Sequence, residues 1–173
     1  MNRNLPLKFG QLLCLAACFS SAAAWAEKAD RTQPITIEAD SANLDQQKGQ
    51  MVYEGNVILT QGSLLLKASK IVATDKGNGQ QQATAVGSPA YFKQRLDAKD
   101  GQAAEWVEGQ AKRIDYDSSS EEVRLVEQAR IKRGQDSAVG HSITYHGKTE
   151  VFQVNGGGKN GRVTVILQPK SKP

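Results

Sequence analysis

Apolar and polar residues alternate in short runs over most of the chain. Ile35 and Ile37 flank Thr36, and Val57 and Leu59 follow Gly55-Asn56. Leu64, Leu66 and Ala68 come after Gly62-Ser63, and Ala90 and Phe92 follow Ser88-Pro89. Ile114 and Tyr116, Ala129 and Ile131, Ile143 and Tyr145, Phe152 and Val154, and Val163 and Val165 repeat the pattern. A period of two sends one set of side chains to one face of a sheet. Turn formers punctuate the runs at Gln47-Lys48-Gly49, Gln61-Gly62-Ser63, Lys76-Gly77-Asn78-Gly79, Asp100-Gly101, Asp117 to Ser120, Arg133-Gly134 and Asn155-Gly156-Gly157-Gly158. The pattern predicts an all-β chain. With strands of about 6 residues and turns of about 3, the chain beyond residue 26 has room for roughly 16 strands.

Two stretches read less plainly. Ser118 and Glu121 are spaced as in a capping box, and Val123, Val126 and Ala129 recur every third residue. Val123/Leu125 and Ala129/Ile131 also alternate, so Ser118 to Arg133 is expected to hold two strands. Ala103 to Val107 is expected to hold a helical turn. A weak repeat is anchored at Gly55, Gly87, Gln128 and Asn155. Its irregular intervals suit hairpins stacked along an axis better than a strict solenoid. A sheet of that kind leaves edge strands at both ends.

The N-terminus changes the compositional picture. Arg3 and Lys8 precede an apolar run, Phe9 to Phe19, that is too short for the roughly 20 residues a membrane span needs. Ala24-Trp25-Ala26 is a small-x-small cleavage pattern. Residues 1–26 are therefore expected to be an export signal cut between Ala26 and Glu27. Residues 27–168 are expected to form one β domain and 169–173 a short basic tail carrying Lys170 and Lys172. Leu15-Ala16-Ala17-Cys18 offers a second reading, a lipobox that would lipidate Cys18. The two cysteines are Cys14 and Cys18. The chain beyond them has no thiol for a disulfide, a zinc site or a nucleophile. Lys and Arg total 22 against 18 Asp and Glu, for a net charge of +4. The two signs intermingle along the chain, so a nucleic-acid partner is not expected.

Catalytic chemistry finds little to use. Gly156-Gly157-Gly158-Lys159-Asn160-Gly161 fits G-x-G-x-x-G formally, but a strand pattern follows it where phosphate binding needs a helix. A hairpin turn is expected there. His141 and His146 are five apart, on opposite faces of a strand, so no metal site is expected. No G-x-S-x-G elbow is present. Glu105 and Glu108 flank Trp106, a pattern open to a glycosidase pair but more simply read as solvated acids beside a half-buried ring. No catalytic residue, metal or cofactor is expected. The alternating face itself is aliphatic, with few bulky rings. It is either a plain β core or a slot that accepts lipid chains.

Several segments resemble, in order, one known family. They are Gln33-Pro34-Ile35-Thr36-Ile37-Glu38-Ala39-Asp40, Leu44-Asp45, Tyr53-Glu54-Gly55-Asn56-Val57-Ile58-Leu59-Thr60-Gln61-Gly62 and Ala68-Ser69-Lys70-Ile71. Gly87-Ser88-Pro89-Ala90-Tyr91-Phe92, Val107-Glu108-Gly109-Gln110-Ala111 and Gly140-His141-Ser142-Ile143-Thr144-Tyr145 follow. The sequence resembles the periplasmic lipopolysaccharide-transport bridge proteins, the LptA/OstA-like family, with the Pseudomonas-type branch as one candidate. Glu127-Gln128 departs from it where the family often has Gly-Asn.

The resemblance implies a twisted, V-shaped antiparallel β-jellyroll of about sixteen strands, open at both ends. It implies a non-enzymatic carrier in the periplasm that binds lipopolysaccharide through its lipid A. Copies would join head to tail by edge strands, between an inner-membrane export complex and outer-membrane translocon proteins. Ile35 to Ala39 and Val163 to Leu167 would be those edges. Alternation then nominates Ile35, Ile37, Val57, Leu59, Leu66, Phe92, Ile114, Leu125 and Tyr145 as the lipid-binding face, with Phe92 foremost. The rival readings are an exported polysaccharide-active or carbohydrate-binding β protein, and an outer-membrane lipoprotein anchored at Cys18.

Overall fold

The computed structural model describes residue 30 and residues 32–77, 80–96, 104–146, 149, 151–158 and 160–169. The expected signal segment and most of the basic tail lie outside these residues. Among these residues there are ten strands: β1 (Thr36–Glu38), β2 (Ser41–Asp45), β3 (Gln50–Gln61), β4 (Leu64–Gly77), β5 (Gln80–Leu96), β6 (Glu105–Asp117), β7 (Glu122–Arg133), β8 (Asp136–His146), β9 (Val151–Asn155) and β10 (Thr164–Ile166). They form one antiparallel sheet in the order β1-β3-β4-β5-β6-β7-β8-β10, with β2 also on β3 and β9 also on β8. Every long strand pairs antiparallel with the next in sequence.

A seam crosses the sheet. The ladder slips between Glu54 and Val57 on β3, between Lys67 and Lys70 on β4, and between Val86 and Ala90 on β5. It slips again between Gln110 and Arg113 on β6 and between Val126 and Ala129 on β7. Each slip is a bulge, which bends a strand and sharpens its twist. Aligned bulges fold the whole sheet along one line. The five long strands β3 to β7 therefore each bend at their slip. The structure has ten strands where the turn spacing predicts roughly sixteen, because the long strands bend at the seam instead of ending there. The seam also explains the irregular repeat. Gly55, Gly87 and Gln128 are bulge residues, and Asn155 pairs with Ser142 beside the seam.

Local chemistry builds the bends. Gly55 (φ 80°) and Asn56 (φ 45°) are left-handed, the region that Gly and Asn tolerate best. A Cβ on Gly55 would also stand 2.1 Å from Oδ2 of Asp40. That carboxylate accepts from Asn56 Nδ2 at 3.0 Å, while the Asp40 amide donates to the Gly55 carbonyl at 3.0 Å. On β7 the same left-handed pair is made by Glu127 (φ 63°) and Gln128 (φ 56°).

Burial follows distance from the seam. On the inner face Val57, Ala68, Ala90, Ala111 and Ala129 lie on one side of it, and Ile71, Ala85, Ile114, Leu125 and Ile143 on the other; all are buried. A single sheet layer cannot hide its own face. The two halves therefore cover each other, closing at the seam and opening toward the strand ends. Farther out, Leu59, Leu66, Phe92, Val123 and Phe152 are only half-buried.

Three expectations are corrected. Glu105 to Val107 is extended, because Trp106 and Val107 pair with Arg95 and Gln94 and Val107 is buried. Ser118 to Arg133 is a turn followed by one strand, bent at Glu127-Gln128 rather than broken there. The glycine run is not a hairpin. Both β9 and β10 pair antiparallel with β8, so they run collinearly and the run is a jog between them at the bend. Close packing requires its glycines, since a Cβ on Gly161 would stand 1.6 Å from the Gly157 carbonyl oxygen. The opposite edge does the same, with Ala39-Asp40 joining collinear β1 and β2 along β3.

Candidate functional site

The inner face is organised in rows that run across the strands. On the limb carrying β1 and β10, Ile37 pairs with Leu59, Leu59 with Leu66, Leu66 with Phe92, and Phe92 with Gly109. The row continues through Ile131 and Ala138 to Val165. Directly paired residues share a face, so this is one apolar stripe from edge to edge. Gly109 leaves a gap in the stripe that the Phe92 ring fills. A Cβ there would stand 2.1 Å from Phe92 Cε1.

The other limb carries a matching stripe. Leu44 pairs with Met51, and the row passes through Ala73 and Ala83 to Tyr116, Val123, Tyr145 and Phe152. Tyr145 and Phe152 stack with centroids 4.4 Å apart. Leu44 is 59% exposed and Tyr116 38%, large values for the inner face of a sheet. Apolar surface is therefore available where the limbs open.

Register sorts the nine nominated residues. Ile37, Leu59, Leu66 and Phe92 stand consecutively in one half-buried row, and Tyr145 is half-buried in the opposing one. Val57, Ile114 and Leu125 lie one row nearer the seam, within the closed core. Ile35 precedes β1 and is exposed. The nine nominated residues left out Met51, Tyr116, Ile131 and Phe152, which register places in the same stripes. Phe152 alternates with Val154 in sequence, but only register shows that it lies beside Tyr145.

Acid-base chemistry does not assemble. Glu105 and Glu108 occupy opposite faces of β6 and are each held by a cation: Arg133 Nε lies 3.0 Å from Glu105 and Lys93 Nζ 3.0 Å from Glu108. The hydrogen bond from Lys93 holds the Glu108 carboxyl below the usual carboxylate range. His146 Nδ1 lies 3.3 Å from Glu122, its register partner, and His141 packs against Gly157. Among the described residues no group of His, Cys, Asp and Glu is placed to hold a metal ion. The arrangement can hold apolar chains.

Comparison with known proteins agrees with this geometry. Residues 36–151 match the family described as LptA/(LptD N-terminal domain) LPS transport protein. The lipopolysaccharide export system protein LptA of Haemophilus influenzae is 36% identical over 169 residues, covering 95% of each chain. LptH of Pseudomonas aeruginosa is 33% identical over 178 residues, covering 98% of this chain and 96% of that one. A crystal structure described as LptH, the LptA homologous periplasmic component of the lipopolysaccharide transport device of Pseudomonas aeruginosa, superposes with a TM-score of 0.71 at 29% identity. The superposition covers 82% of this chain and 99% of that one. An all-β sheet folded on an apolar seam, with these relatives along nearly its whole length, makes the chain a member of the LptA/LptD N-terminal domain family of lipopolysaccharide transport proteins.

Proposed function

We propose that this protein is a non-enzymatic periplasmic carrier that holds the acyl chains of lipopolysaccharide between its two limbs. The observation that carries the reading is the continuous half-buried row Ile37–Leu59–Leu66–Phe92, faced by the stripe of Tyr116, Tyr145 and Phe152. Val57, Ile114 and Leu125 form the floor beneath these rows. Each buried methylene contributes about 0.8 kcal/mol, so a twelve-carbon chain gives roughly 9 kcal/mol before costs. Non-covalent affinity saturates near 18 to 21 kcal/mol, and a carrier must release its cargo. Partial burial in an open cleft meets both demands.

Export by residues 1–26 and a soluble start at Glu27 belong to the same proposal. So does head-to-tail assembly through the short edge strands into a bridge from the inner-membrane exporter to the outer-membrane translocon. Phe92→Glu tests the site, because an unpaired carboxylate is costly in an apolar cleft. The variant is expected to keep its β circular dichroism and lose lipopolysaccharide binding. A folded variant that binds like the parent removes Phe92 from the site, and an unfolded one makes Phe92 a core residue.

A further inference from the structure

The outer faces of the two limbs differ in charge. On the β1/β10 limb, Lys67, Lys93, Arg95, Arg130 and Lys132 point outward against only Glu38 and Glu108. On the other limb the outward cations are largely matched, as in Lys70–Glu54 at 2.7 Å and Arg113–Asp115 at 2.9 Å. Among the described residues Lys67, Arg95 and Arg130 make no ion pair, and Lys132 stands opposite Glu108, whose carboxylate is bonded by Lys93.

This basic face contains a cavity of about 340 Å³ lined by Ala104, Glu105, Trp106, Glu108, Lys132 and Gly134. That volume lies at the small end of ligand sites, roughly 300–1,000 Å³. Trp106 is 44% exposed, and Lys93 Nζ stands 4.7 Å from its ring centroid while bonding Glu108. Ring, ammonium and carboxylate are thus held as one wall. The cavity adjoins the apolar stripe. Trp106 and Lys132 are chain neighbours of Val107 and Ile131, whose side chains face inward, while Glu105, on the inner face of β6, and Gly134, in the turn after β7, close the limb's end.

We propose that this cavity is a headgroup subsite that takes a phosphorylated sugar of the lipopolysaccharide whose acyl chains lie in the cleft. The Trp106 ring offers a platform for a pyranose face. Glu105 and Glu108 accept from sugar hydroxyls. Lys132, supported by Arg130 and Lys93, pairs with the phosphate. The acyl chains lie against Phe92 and Ile131, and the head passes over the limb's end at Glu105 and Gly134. The assignment rests on the carrier reading, and its test separates the two.

Isothermal titration is run with intact lipopolysaccharide, with its deacylated phosphorylated saccharide, and with that saccharide after dephosphorylation. The parent protein is expected to bind the phosphorylated saccharide. Dephosphorylation, Lys132→Gln and Trp106→Leu are each expected to weaken that binding at least tenfold. Phe92→Glu is expected to weaken intact lipopolysaccharide toward the affinity of the saccharide alone and to leave saccharide binding unchanged. Lys132 is exposed, so its variant stays informative if Trp106→Leu unfolds. Saccharide binding unchanged by Lys132→Gln overturns the subsite. A parent that binds intact lipopolysaccharide but not the saccharide also overturns it, leaving the carrier reading in place. A parent that binds the saccharide but not intact lipopolysaccharide overturns the carrier reading instead.

Discussion

At the scale of single residues, the seam is a set of backbone conformations, and side chains differ in how well they suit them. Gly55-Asn56 was legible in the sequence because Gly and Asn advertise a left-handed pair. Glu127-Gln128 was not legible. Neither residue favours φ 63° or 56°, and the conformation is imposed by the neighbouring strands, whose bulges line up with it. An L-residue held there costs about 1–2 kcal/mol. Gln128→Gly should therefore raise the stability measured by urea unfolding by about 1 kcal/mol. Glu127→Gly should gain less, because it also removes the exposed pair with Lys112 at 3.1 Å. Asp117 makes a second residue-scale case. Its carboxylate accepts from Gln82 Nε2 at 2.7 Å and from the amides of Ser119 at 2.8 Å and Ser120 at 3.3 Å, closing the turn into β7. These bonds, that of the Ser119 hydroxyl first, hold its pKa far below the ordinary aspartate value. A depressed folded pKa gives stability that is present above the unfolded pKa and lost as pH falls through the folded one. Asp117→Asn should therefore destabilise at pH 7 and flatten the acid limb below about pH 4, read as the midpoint of thermal unfolding against pH.

Among elements, alternation identified most segments as strand but could not say which residues stand opposite one another. That requires register, and register here depends on bulges. Ile37, Leu59, Leu66 and Phe92 were nominated one at a time, and pairing made them a row. Val57, Ile114 and Leu125 were nominated by the same rule, yet the bend places them in the closed core. Burial along an alternating strand depends on distance from the seam, which periodicity does not encode. The pairing of Phe92 with Gly109 is the sharpest consequence of register. Gly109→Ala would push a methyl group into the Phe92 ring and should cost about 1–3 kcal/mol by overpacking. Phe92→Leu should relieve part of that cost, so the double variant should be more stable than the sum of the singles implies. A double-mutant cycle in urea measures this directly. Additive losses would mean that the ring does not lie over Gly109.

For the molecule as a whole, the decisive property is that the sheet does not close. The expected open jellyroll with edges at Ile35 to Ala39 and Val163 to Leu167 matches β1 and β10 at the two ends of the strand order. What the sequence could not convey is that each edge is built from two collinear fragments, because the neighbouring strand bends and a straight partner cannot follow it. Short, interrupted strands are a common way of blunting an edge against indiscriminate pairing. The β10 edge nevertheless exposes apolar side chains: Val165 is 52% exposed, Ile166 51% and Leu167 73%. An edge of this kind can be extended by a strand from another copy, with backbone hydrogen bonds supplying affinity and these side chains supplying specificity. Because the two edges differ, the contact is heterologous and does not close on itself, so assembly should lengthen with concentration. Deleting residues 163–173 removes β10 and leaves the core cluster, whose members all lie between Val57 and Ile143, intact. Sedimentation velocity over a hundredfold concentration range should show the parent forming progressively larger species and the truncated chain remaining monomeric with unchanged β circular dichroism. Val165→Lys combined with Leu167→Lys, which keeps the backbone of β10, should shift the parent's association to higher concentration without abolishing it. If both variants assemble like the parent, the chain associates through some other surface and β10 is only the last strand of the fold.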